Sequence, residues 1–147
     1  MLREVLRVLQ PGARAAFSSW DIETPNTGLG LMYAAAKAHA NLNIALPHGP
    51  DVFQFSTRER MRSAMTETGF ADVTAIQSPQ DWRVDSAQQM LDAVYEGTVR
   101  TRALLHAQTD AQMAAIRGAL EQAIAPLRSG DGFVVPMTAV IGSGAKR

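Results

Sequence analysis

The feature that most constrains this chain is the stretch from Glu4 to Trp20, in which a helix end, a breaker turn and an apolar run follow one another within seventeen positions. Leu2, Val5, Leu6 and Leu9 recur at i, i+3, i+4 and i+7, which places four apolar side chains on one face of a short helix over residues 2–9 and leaves Arg3, Glu4 and Arg7 outside. Pro11 disfavours a helical conformation at Gln10, and Gly12 adopts positive φ without steric cost, so the chain turns there. Residues 13–20, with Ala15, Ala16 and Phe17 at their centre, then read as a strand that the rest of the chain must cover.

Two further strands are expected. Residues 72–84 alternate through Val73, Ala75 and Gln77 against Thr74, Ile76 and Ser78, and continue past Pro79 to Trp82, with a break near the proline. Residues 132–143 form an apolar run suited to a strand buried on both faces. Helices fill the intervals. One restarts near Leu29; Ser56-Thr57-Arg58-Glu59 reads as a capping box opening a second at Thr57, closed by Gly69, after which Phe70 packs back. Ser86 and Gln89 open a third through Leu105, the longest expected, and Thr109 or Asp110 opens a fourth, antiparallel to it. Phe53 and Phe55 alternate with Gln54 and Ser56 as a short extended piece. Pro47 to Asp51 must be irregular. The fold class is therefore α/β, one domain over residues 1–147, with a small three-stranded sheet, mixed by the family resemblance given below, flanked by about five helices.

Composition removes several functions. Fourteen basic residues balance fourteen acidic ones, so no basic face is expected to meet phosphates, and nucleic acid is not an expected partner. The longest apolar stretches fall short of a membrane span, and the first residues lack the apolar region of a signal peptide. The absence of cysteine excludes disulfides and thiolate metal sites and suits a reducing cytoplasm, the expected location. His39, His48 and His106 show no metal-ligand spacing, and no acid, base and nucleophile assemble from spacing, so the catalytic residues are unassigned and no metal site is expected.

Asp21 and Glu23 follow the end of the first strand, where open α/β sheets place ligands; they are either substrate contacts or solvated loop acids. Trp20, Met32, Tyr33, Phe53, Phe55, Trp82, Met90, Tyr95 and Met137 are large side chains in segments after strand ends. They form either a pocket for a flat, apolar small molecule or ordinary core. Arg100 adds charge beside them, and since Arg100 and Arg102 cannot share a helical face, at most one points into that space.

The run Arg7-Val8-Leu9-Gln10-Pro11-Gly12-Ala13-Arg14 resembles the helix-to-fifth-strand junction of class I S-adenosylmethionine-dependent methyltransferases of the quinone-biosynthesis type, with Ala13 where a second glycine is usual. The likeness continues from Ser56 to Val73, through a capped helix and the ending Glu67-x-Gly69-Phe70-x-Asp72-Val73, and on to the C-terminal strand. It implies a truncated Rossmann-like fold, the C-terminal half of the family's, with the last strand between the other two and antiparallel to both. In the family the cofactor sits on a glycine-rich turn after the first strand and an acidic residue ending the second. Both would precede Met1, so no cofactor-binding residue is expected here and S-adenosylmethionine belongs to the full-length family. The resemblance further implies a homodimer, because strand 13–20 lacks its family neighbour and its edge and helix 2–9 need cover. Two functions stand side by side: a methyltransferase-like protein inactive as this isolated chain, and a non-catalytic small-molecule-binding or assembly module.

Overall fold

A computed structural model describes residues 1–46 and 49–147; Pro47 and His48, which open the stretch expected to be irregular, lie outside the described residues. The elements run α1 (Leu2–Val8), β1 (Arg14–Trp20), α2 (Gly28–His39), α3 (Arg58–Thr68), β2 (Ala71–Ser78), β3 (Asp81–Val84), α4 (Ala87–Gly97), α5 (Val99–His106), α6 (Asp110–Ile124), a 3-10 turn (Ala125–Leu127), β4 (Arg128–Ser129), β5 (Gly132–Pro136) and β6 (Ala139–Ala145). The class is α/β, with two small antiparallel sheets rather than the single mixed sheet expected. The chain divides into two compact units: a sheet unit of residues 1–25, 50–80 and 137–147, and a helical unit of residues 26–49 and 81–136.

The division explains where two expected strands failed to continue. Residues 72–84 become β2 and β3, and residues 132–143 become β5 and β6, each pair split between the two sheets. Pro79 has no N–H to give a ladder, and at the second break Met137 donates its N–H to the Gln80 carbonyl, so both runs change partners at the same level.

In the sheet unit the order is β1-β6-β2, with β6 antiparallel to both neighbours over Arg14↔Ala145 to Trp20↔Ala139 and Thr74↔Ser143 to Ser78↔Ala139. Its core is Leu2, Met61, Met65, Phe70, Ala75 and Val140, with Val5, Leu6, Leu9 and Phe17 packed against it. Helix α3 lies close to the sheet because β6 presents glycine there: a Cβ on Gly142 would overlap the Met61 and Met65 side chains, and one on Gly144 would press on Phe70. The start of α3 corrects the expected capping box. Thr57 is the cap, accepting from the Arg60 N–H, whereas Ser56 is buried and its hydroxyl meets that of Ser19. The other end matches the sequence: Gly69 sits at φ 106° and the Phe70 N–H reaches the Met65 carbonyl. Residues 52–55 form turns rather than the extended piece expected, since Asp51 captures the Phe53 N–H with its carboxylate and the Gln54 N–H with its carbonyl.

The helical unit is built on Met32, Ala35, Val84, Met90, Leu91, Leu105, Ile116, Leu120, Ile124 and Val135, with strands β3-β5-β4 at its side. The helix expected from Ser86 through Leu105 is two helices. After Gly97, Thr98 is extended (φ −134°, ψ 139°) and turns its hydroxyl onto the Val94 carbonyl, so the i→i−4 ladder restarts at Val99. The longest helix is therefore α6, of 15 residues, opened by a full capping box between Thr109 and Gln112.

Candidate functional site

The end of β1 carries the most unusual polar group. Asp21 is only 2% exposed, yet it is an acidic residue one position past a strand. Its N–H continues the ladder to the Thr138 carbonyl, and the alternation of β1 carries its side chain to the face of Ala15, Phe17 and Ser19. Oδ2 accepts from the Thr24 N–H at 2.7 Å, from the Thr24 hydroxyl and from Gln77 Nε2 at 3.1 Å. The Asp-x-x-Thr spacing makes this turn local: the carboxylate closes its own loop as an Asx-type turn does. Around it Ser56 is buried beside half-buried Ser19, the Ser56 carbonyl accepts from the Ile22 N–H, and Thr138 is buried as well.

Burial pushes the Asp21 carboxyl up, but hydrogen bonds from the Thr24 hydroxyl, the Thr24 and Glu23 amides and Gln77 outweigh it and hold its pKa below the ordinary value. All three of the short contacts above go to one oxygen. Oδ1 is buried and has no partner. A carboxylate kept ionised in this way is a weak base at neutral pH and a strong acceptor, suited to anchoring an N–H or O–H donor rather than to abstracting a proton. Glu23, the other acid after β1, is exposed and borders an open polar depression of about 410 Å³ with Arg58, Glu59, Arg62 and Ser63.

The helical unit holds an apolar cavity of about 50 Å³ lined by Leu29, Met32, Tyr33, Ala36, Leu91, Val94, Thr98, Thr101, Leu104, Leu105 and Ile116. Thr98, at the break between α4 and α5, and Thr101, in the first turn of α5, line it together with residues of α2 and α4. The volume exceeds that of one water and falls well below the roughly 300 Å³ of a drug-sized site, so it suits a narrow apolar group.

The ten residues expected to line a pocket have different fates. Met32 and Tyr33 line the cavity. Met90 is fully buried core, and Trp82 and Tyr95 pack half-buried against the same cluster, Tyr95 with the Arg102 guanidinium 4.9 Å from its ring centre. Arg100 is exposed, its guanidinium against Gly49. In the sheet unit, Phe55 packs on the core, Phe53 is half-buried in the turn, Met137 follows β5, and Trp20 stands 47% exposed at the end of β1. Sequence reasoning left Leu91, Val94, Thr98 and Leu105 out of the pocket because an unbroken helix would have made them plain core; Gly97-Thr98 was the signal.

Among the described residues no group of three His, Asp or Glu side chains could hold a metal ion, and no helix is long and apolar enough to cross a membrane. Compared with known protein families the sequence matches none of their models, and compared with curated proteins it finds no match.

Proposed function

We propose that this chain is the acceptor-side part of a fold like that of the S-adenosylmethionine-dependent methyltransferases, that its helical unit takes an apolar small molecule, and that these 147 residues by themselves do not transfer methyl groups. The observation that carries the reading is the strand order β1-β6-β2 with an antiparallel centre and α3 connecting the outer strands, which is the arrangement the resemblance implies for the family's last three strands. Within the sheet unit Asp21 lies just past the end of β1, where such sheets hold ligands, and within the helical unit the cavity beside Met32 and Tyr33 is apolar.

Methyl transfer requires the sulfonium and the acceptor atom in line at near-contact distance, and most of the rate comes from that positioning. No glycine-rich strand-to-helix turn with an acidic residue about twenty positions beyond occurs in these residues, so adenine, ribose and carboxylate lack their usual contacts. Titration calorimetry of the 147-residue protein with S-adenosylmethionine is expected to be flat. A one-to-one isotherm tighter than about 100 µM, about 5.5 kcal/mol, overturns that part of the reading. The family relation itself is tested in the genomic sequence upstream of Met1: an in-frame strand ending in a glycine-rich turn supports it, and its absence favours the binding or assembly module.

A further inference from the structure

The two edges of the β1-β6-β2 sheet differ. On β2 the register shifts between Ala71 and Thr74, Asp72 sits at φ 49° and its side chain is exposed, so that edge is bulged and charged, the usual defences against a second strand. On β1 seven consecutive residues hold register with β6 without a bulge, proline or lysine. The ladder bonds Asp21 N–H to Thr138 and Lys146 N–H to Ala13 show that the odd residues face β6. The N–H and C=O groups of Arg14, Ala16, Ser18 and Trp20 therefore point to the free edge, and among the described residues β1 pairs with β6 alone.

We infer that this edge is the docking surface for β1 of a second copy of the chain, paired antiparallel about a two-fold axis at Phe17. Only registers that set even residues opposite even residues bring the free groups together, and the one centred on Phe17 overlaps the whole strand, giving roughly eight inter-chain backbone bonds. In that register the strand is complementary to itself. Arg14 lies opposite the partner's Trp20 with its guanidinium held across β6 by the Asp72 carbonyl and the Ser143 hydroxyl, and Ala16 lies opposite the partner's Ser18, so no like charges meet. Phe17 meets its own copy in a non-hydrogen-bonded pair, where side chains are closest, on the face where it already stands edge-on to Phe70 at 5.9 Å. The two sheets become one of six strands with no open β1 edge. This inference stands on the edge geometry of the 147-residue chain; in the methyltransferase reading the same edge is the one that the family's neighbouring strand covers.

The chain has no cysteine, so introduced thiols report without background. In the proposed register Cα atoms of residue 16 and the partner's residue 18 stand about 5.5 Å apart, within disulfide reach, whereas residue 16 and the partner's 16 lie diagonally at about 7–8 Å, beyond it. Mild oxidation of the double variant Ala16→Cys/Ser18→Cys is expected to give a covalent dimer, and each single variant is expected to give none. Sedimentation of the unsubstituted 15.9 kDa chain at tens of micromolar should give twice that mass, and Ala16→Lys/Ser18→Lys, which sets lysines opposite one another on an exposed face, should weaken the dimer at least tenfold with an unchanged circular dichroism spectrum. A monomeric unsubstituted chain, including one whose edge is taken by a strand of another protein, overturns the inference. So does crosslinking of a single variant, which reports another register, or a dimer whose double variant does not crosslink.

Discussion

Replacing Asp21 by asparagine tests whether a buried carboxylate holds the end of β1 by its charge. The amide oxygen can keep the three contacts now made to Oδ2, from Thr24 N–H, the Thr24 hydroxyl and Gln77 Nε2. Each becomes a bond to a neutral acceptor, worth about 0.5–1.5 kcal/mol rather than the roughly 1.5–3 of a bond to an ion. The amide also avoids the desolvation of a charge, which offsets part of the loss, and places its NH₂ where Oδ1 is buried without a partner. The depressed pKa says that the hydrogen bonds outweigh the desolvation, so Asp21→Asn should destabilise at pH 7, by about 1–2 kcal/mol, which in a chain of this size is about 3–6 °C in Tm. The pH dependence is the sharper readout. A carboxyl whose folded pKa lies below its unfolded value contributes stability that is present above the unfolded value, ordinarily 3.8, and is lost as pH falls through the folded pKa. The gap between the two proteins should be full at pH 6–7 and narrow steadily below about pH 4, while the contributions of all other acids cancel in the difference. Urea titrations followed by Trp20 emission, with Trp82→Phe in both proteins to leave one emitter, measure it. A gap that is independent of pH, widens in acid, or favours asparagine at pH 7 refutes the argument.

Gly142→Ala drives a methyl group into Met61 and Met65 under α3 and should cost about 1–3 kcal/mol in chemical denaturation, whereas Gly118→Ala, with open space around its Cβ position, should be neutral or stabilising by up to about 1 kcal/mol. Ala36→Leu fills the apolar cavity of the helical unit, and xenon-induced shifts of the methyl resonances that line it, expected in the unsubstituted chain, should be lost in the variant with helix content unchanged. Thr109→Ala removes the hydroxyl that caps the Gln112 N–H, while the residue 109 N–H keeps its bond to Gln112 Oε1, and should lower stability by about 0.5–2 kcal/mol by thermal denaturation.

Local chemistry was legible in the sequence wherever a few neighbouring residues decide it. The i, i+3, i+4, i+7 pattern of Leu2, Val5, Leu6 and Leu9, the Pro11-Gly12 break, the Gly69-Phe70 helix end and the Thr109 start all depend on hydrogen bonds and sterics within one or two turns, and the structure has them. The place of the last strand between the other two was also reached, through the resemblance rather than through periodicity. Partner choice was not legible. An alternating run looks the same whether it serves one sheet or two, so only tertiary structure could split residues 72–84 and 132–143, where Met137 bonds to Gln80 and each run changes neighbours. The same limit applies to the sites. Gly97-Thr98 could mark a break, but that Thr98 lines a cavity with residues of α2 depends on packing between helices distant in sequence. Asp21 reads in sequence as an ordinary loop acid beside Glu23; its burial and its orphaned oxygen arise because Gln77 and Thr138, more than fifty and a hundred residues away, close over it.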